Sequence, residues 1–157
     1  MTDIDNAYSG RFAEDGKTHI LPVRIYYKDT DMSGIVYHGN YVSYFERGRT
    51  DHMRQIGITH TDIGKREKPL AFAVIAMDLR FKKAARIDDN LLVHTKYVAL
   101  NGAKVHIKQW ITRKNDKGGE DMICTNDITA VTIDMNGMPQ RPQPDIVEAF
   151  KPYLAEE

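Results

Sequence analysis

The chain has 157 residues, 28% of them charged, and its 22 basic and 22 acidic side chains leave a net charge of zero. That length suits one domain with one core, and the balanced charge removes any global argument for nucleic acid or an anionic membrane as partner. The single cysteine, Cys124, excludes an internal disulfide framework, and no apolar run approaches the roughly 20 residues of a membrane-spanning helix.

Residues 1–17 are polar and acidic, with no basic start followed by an apolar stretch. They are expected to form a flexible lead-in rather than a secretory signal, with residues 18–157 as a single domain in the cytoplasm. Over residues 19–27 the apolar Leu21, Val23, Ile25 and Tyr27 alternate, which predicts a strand, and Pro22 favours an edge position. A tight acidic turn containing Asp29 and Asp31 comes next. Tyr41, Val42, Tyr44, Phe45, Met53 and Ile56 then fall at helical spacing, predicting a helix over 41–56 with Asn40 as N-cap and Gly57 just past its end. Gly48 in its middle is unfavourable by about 1 kcal/mol relative to Ala, and reads either as a point where a sheet comes close to the helix backbone or as a glycine that is merely tolerated.

Residues 58–68 read as a loop with one helical turn. The period then changes to two, and Ala73, Ile75, Met77, Leu79 and Phe81 form the expected inner face of a strand. A turn at 84–90 leads to a strand over 91–100. Asn101-Gly102 is a strong hairpin signal joining it to 103–113, and a turn at 115–119 precedes the last long strand, 121–134. Pro139, Pro142 and Pro144 keep the chain irregular before a short helix near 145–153. One strand, one long helix and four more strands predict an α+β domain, a five-stranded antiparallel sheet wrapped around one central helix. Its open edge and outer face call for cover, which oligomerisation supplies.

A helix N-terminus carries partial positive charge and free N–H donors, so Asp31 and His38 flank a natural oxyanion site. As a residue type alone, Asp31 reads more readily as a turn former or a surface carboxylate than as a catalytic group. The run Asp29-x-Asp31-x-Ser33-Gly34 copies the opening of a calcium-binding loop, but its twelfth position is Asn40 and a strand precedes it, so no metal site is expected. His52, His94 and His106 have no metal-ligand spacing, and Cys124 reads as a small core residue.

Larger units of sequence carry a resemblance. Tyr26-Tyr27-x-Asp29-Thr30-Asp31-x-x-Gly34-x-Val36-Tyr37-His38-x-Asn40-Tyr41 is followed by Phe45-Glu46-Arg47-x-Arg49, and later by Phe81-x-x-Ala84-Ala85-x-x-Asp88-Asp89. Together these resemble the hotdog-fold acyl-CoA thioesterases of the 4-hydroxybenzoyl-CoA thioesterase group, in particular the YbgC type associated with tol-pal operons. The resemblance covers roughly residues 20 to 142. It implies that Asp31 is the catalytic carboxylate and that the backbone N–H of His38 polarises the thioester carbonyl, with the histidine itself implicated in activity. It also implies acyl-CoA as substrate, no cofactor or metal, and a homodimer or dimer of dimers with sites at the subunit interface. Whether Asp31 attacks the carbonyl or deprotonates water stays open. Tyr37 and Tyr41 are candidates to line the acyl pocket, although core packing explains such aromatics equally well. Lys82, Lys83, Arg86 and Lys104 are candidates for the CoA phosphates, against the plainer reading of a solvated basic face.

Two positions depart from the pattern. Asn101, Gly102 and Ala103 stand where the 4-hydroxybenzoyl-CoA enzymes have a basic hairpin, and Ala84 replaces a Pro common in YbgC relatives. Two other functions fit the same fold: binding of acyl-CoA without turnover, and dehydration of an acyl thioester.

Overall fold

The computed structural model describes residues 7–155, so the first six positions of the expected lead-in lie outside the described residues. The two hydrophobic periods of the sequence become a sheet and a long helix. The strands are β1 (Arg11–Phe12), β2 (His19–Arg24), β3 (Ala71–Phe81), β4 (Asn90–Asn101), β5 (Lys104–Lys114) and β6 (Glu120–Ile133). They form one antiparallel sheet in the order β1-β2-β4-β5-β6-β3. The helices are α1 (His38–Gln55), α2 (His60–Gly64) and α3 (Pro144–Phe150), with short 3-10 turns at Tyr27–Asp29 and Lys151–Tyr153.

The sheet has six strands where five were expected. The additional strand, β1, lies in the stretch expected as lead-in, where Arg11 pairs with Ile20 and Phe12 with His19. Nearby backbone is tied down too, since the Gly10 N–H donates to Asp51 Oδ2 at 2.8 Å and Lys17 Nζ to the Leu154 carbonyl at 2.7 Å. Pro22 keeps its edge character because β1 covers only the first two residues of β2. The strand also ends at Arg24, three residues earlier than its alternation predicts, because the chain turns at Tyr27–Asp29.

Helix α1 begins at His38, three residues before the expected start, and Asn40 is not its N-cap. Tyr37 holds that position. The Asn40 side chain instead donates to the Asp29 carbonyl at 2.7 Å, and the Tyr37 N–H donates to the same oxygen at 3.0 Å. The turn before the helix therefore captures the residue that sequence assigns to the cap. At the other end Gly57, with φ +90°, takes the left-handed position just beyond the helix.

The sheet wraps α1, and two buried clusters divide the core along the helix. One gathers around Tyr41, Tyr44 and Phe45, the other around Met53, Tyr97 and Phe150. Burying a side chain such as Phe45 stabilises the fold by roughly 1.5–3 kcal/mol. Between the clusters the helix backbone meets the sheet at Gly48, where an added Cβ would lie 2.7 Å from Thr95 Oγ1 and 3.0 Å from a Val93 methyl. Gln109 stitches this crossing, donating from Nε2 to the Phe45 carbonyl and to Thr95 Oγ1, each at 2.8 Å.

Strand β3 departs from its predicted alternation. A bulge between Val74 and Ala76 inserts Ile75, so Phe72 and Val74 face the helix before it and Met77, Leu79 and Phe81 after it. Ala73 and Ile75, expected on the inner face, do not lie there because one extra residue reverses the parity. Among the described residues no helix is long and apolar enough to cross a membrane.

Candidate functional site

The turn that precedes α1 is built so that Asp31 sits at its base. The Gly34 N–H donates to the Asp31 carbonyl and the Asp31 N–H to the Ile35 carbonyl, both at 3.0 Å, with Thr30 bridged to Val36. Gly34 closes this three-residue loop at φ +79°, a conformation that a side chain would strain. The Asp31 carboxylate is exposed. Oδ1 accepts from the Ser33 hydroxyl and from the Ser33 N–H, the latter at 2.8 Å. Those two donors hold the Asp31 carboxyl below its ordinary range, with a smaller electrostatic pull from His38, so it is an anion at neutral pH.

Asp29, two residues earlier, has a different role. It is buried, and its Oδ2 accepts the Tyr26 N–H at 2.8 Å while its carbonyl secures Tyr37 and Asn40. It fixes the turn to the first residues of α1. The N–H groups of His38 and Gly39 open that helix, where the helical ladder offers them no acceptor. The exposed His38 ring packs against Tyr37 at 4.4 Å between centroids and meets Phe81 edge-on at 6.3 Å. No hydrogen bond joins the Asp31 and His38 side chains among the described residues. Tyr37 is about half exposed.

Tyr41 is buried beneath this surface. Its hydroxyl accepts the Ala85 N–H at 3.3 Å and its ring lies 5.8 Å from that of Phe81, while burial raises the phenol pKa. The Val36 N–H donates to the Ala85 carbonyl at 2.9 Å, so the loop after β3 supports the turn from below. Arg113 clamps that loop, donating to Asp89 Oδ2 at 2.7 Å, to the Ala84 carbonyl at 3.1 Å and to Asp121 Oδ2 at 3.0 Å. Cys124 pairs across the sheet with Phe81, and burial pushes its thiol up to about 12, which makes it inert as a nucleophile.

The candidate phosphate ligands are spread out. Lys82 and Lys83 are exposed where β3 ends, and Lys83 is paired with Asp121 at 3.1 Å. Arg86 is bridged through its backbone neighbourhood to Ile35, and its guanidinium stands beside Gly34. Lys104 opens β5 at the level of Ala73, through Val131, whereas Phe81 lies at the level of Ile111. Seven residues of strand separate those levels, which is roughly 24 Å at about 3.4 Å per residue. Within one chain Lys104 is therefore remote from Asp31. Among the described residues no three His, Cys, Asp or Glu side chains are placed to hold a metal ion.

Sequence reasoning missed three contributors: Ser33 as the partner of Asp31, Phe81 as the wall facing His38, and the Arg113 clamp. Ser33 was legible in principle, because Asp followed two residues later by Ser often closes a local side-chain turn. The Arg113 contacts with Ala84 and Asp89 join segments 24 or more residues apart and left no local signal.

With this geometry in hand, similarity to known proteins is informative. Residues 26–150 match the model of the thioesterase-like superfamily. The acyl-CoA thioesterase YbgC of Haemophilus influenzae is 39% identical over 93 residues, 59% of this chain and 68% of that protein. The acyl-CoA thioester hydrolase YbgC of Escherichia coli O6:H1 is 31% identical over 131 residues, covering 83% of this chain and 93% of that protein. The crystal structure of a probable thioesterase from Bartonella henselae superposes with a TM-score of 0.74 at 34% identity, covering 80% of this chain and 99% of that one.

Proposed function

Because the chain belongs to the thioesterase-like superfamily, with the hotdog fold, we propose that it hydrolyses acyl-CoA thioesters and that Asp31 and the start of α1 carry the chemistry. One observation supports this reading above the others: an ionised carboxylate on a rigid turn stands beside the first free N–H groups of a long helix. A thioester carbonyl directed at the His38 N–H gains a donor where negative charge develops, an interaction typically worth roughly 2.7–4 kcal/mol. The Asp31 carboxylate then either attacks the carbonyl carbon, expelling the thiolate and leaving a mixed anhydride that water cleaves, or takes the proton of the attacking water. Tyr37, Phe81 and His38 line the approach, and Tyr41 supports it from below.

The site needs a second copy of the chain. Strand β3 ends the sheet, and its Val74, Ile75, Met77 and Phe81 are all exposed, at 37% or more. Two such edges paired antiparallel about a two-fold axis continue the sheet and cover that row. The pairing also sets the Ala73 end of one β3 beside the Phe81 end of the other, which brings the partner's Lys104 end toward this chain's Asp31. A free, buried thiol and a CoA substrate suit the cytoplasm.

The test is thiol release from short-chain, long-chain and aromatic acyl-CoAs by the wild type and by Asp31→Ala. Turnover should fall by about 10²–10⁴-fold in the variant. Binding without release across the whole panel, formation of an enoyl product, or unchanged turnover in Asp31→Ala would each refute the proposal.

A further inference from the structure

A second groove runs along the β2 side of α1, about 410 Å³ in volume, with Arg24, Tyr26, Lys28, Asp29, Tyr44 and Arg47 in its lining. Its three cations outnumber its one carboxylate, so the lining carries a charge of +2. Asp29 is held by the Tyr26 N–H, whereas Arg47 makes no hydrogen bond or ion pair among the described residues. Arg24 uses only Nε, which donates to Asn90 Oδ1 at 2.9 Å, so its terminal nitrogens are unpaired. Tyr44 is 4% exposed, and its hydroxyl faces the Asp29 carboxylate in the groove wall. A buried phenol therefore lines a cavity whose net charge is positive, within reach of an incoming oxygen acceptor. The Tyr26 ring at the rim is 60% exposed.

These features fit one kind of ligand. Guanidinium groups match phosphate oxygens in pairs, an open aromatic face stacks on a purine, and the volume lies within the usual range of small-molecule sites. We propose that this groove holds the phosphorylated nucleotide end of the CoA carrier, an assignment that rests on the acyl-CoA reading above. The path to the reacting centre is short, because Asn40 lines the groove and lies in the first turn of α1, two residues after His38. The groove competes favourably with the basic residues near β3, where Lys83 is already paired with Asp121. It also remains open in a pair joined through β3, since β2 and β3 lie toward opposite edges of the sheet.

Two measurements test this. The first compares kcat/KM for acyl-CoA with that for the matching acyl-pantetheine, which lacks the nucleotide. Arg47→Ala and Arg24→Ala should each lower that ratio by about tenfold or more, with the change in KM, and Arg47→Lys should restore part of it. The second is calorimetric titration with ADP alone, which should bind the wild type and Asp31→Ala but bind Arg47→Ala and Tyr44→Phe more weakly. An unaltered substrate ratio in both arginine variants overturns the assignment to CoA, and so does ADP binding that is indifferent to Arg47. If neither thioester is hydrolysed, it is the hydrolase reading that fails, and the ADP titration still decides whether the groove recognises a nucleotide phosphate.

Discussion

Asp29 and Asp31 stand two residues apart and meet opposite fates. The first is buried and satisfied by backbone donors, so it shapes the turn. The second projects outward and is held ionised chiefly by Ser33. Ser33→Ala removes the hydroxyl donor and should raise the Asp31 pKa. Because the reaction needs the carboxylate, the acid limb of a kcat/KM profile against pH should then move to higher pH. A limb left in place would take Ser33 out of the site. The sequence motif marks both aspartates, and only the local hydrogen bonds divide their roles.

His52 makes a different prediction at the same scale. It is fully buried and packs against Phe12, Tyr97 and the His19 ring. Burial lowers its pKa from 6.5 to about 3. The unfolded chain therefore binds the proton more readily, and the stability that neutral His52 permits is complete above about pH 6.5 and is lost as pH falls toward 3. His52→Phe keeps an aromatic ring there and should flatten that part of the Tm profile between pH 4 and 6.5. An equally steep profile in the variant would assign the acid sensitivity to other groups. From the sequence His52 could be excluded only as a metal ligand, since nothing local indicates that Phe12 and Tyr153 fold over it.

At the scale of elements, the close approach expected at Gly48 is what the helix–sheet crossing requires. Thr95 Oγ1 cannot move away freely, because it accepts from Gln109. Gly48→Ala should therefore destabilise the domain by about 1–3 kcal/mol in a denaturant titration, despite alanine's better helix propensity. A neutral or stabilising result would mean that the sheet yields at this point. The start of α1 and the inner face of β3 were less legible. Asn40 is a good cap by type, but the Asp29 carbonyl captures its side chain. The β3 alternation is interrupted by a bulge that no residue in 71–81 announces.

The whole molecule leaves an exposed apolar edge on β3, the edge that the proposed second copy would cover. Ile75→Asp places a charge on that edge and should yield a monomer by sedimentation, with thioester turnover reduced by at least about tenfold. A dimer that persists in this variant would move the interface elsewhere. The sequence by itself determined the long helix, the long strands, their hairpin order and the turn-plus-helix motif, because each depends on periodicity or on contacts a few residues apart. Only the tertiary structure decided which aspartate faces outward, which wall meets His38, how Arg113 braces the turn and where basic groups gather beside Tyr44. Those outcomes depend on segments brought together by packing on the sheet, and composition and spacing along the chain carry no record of that geometry.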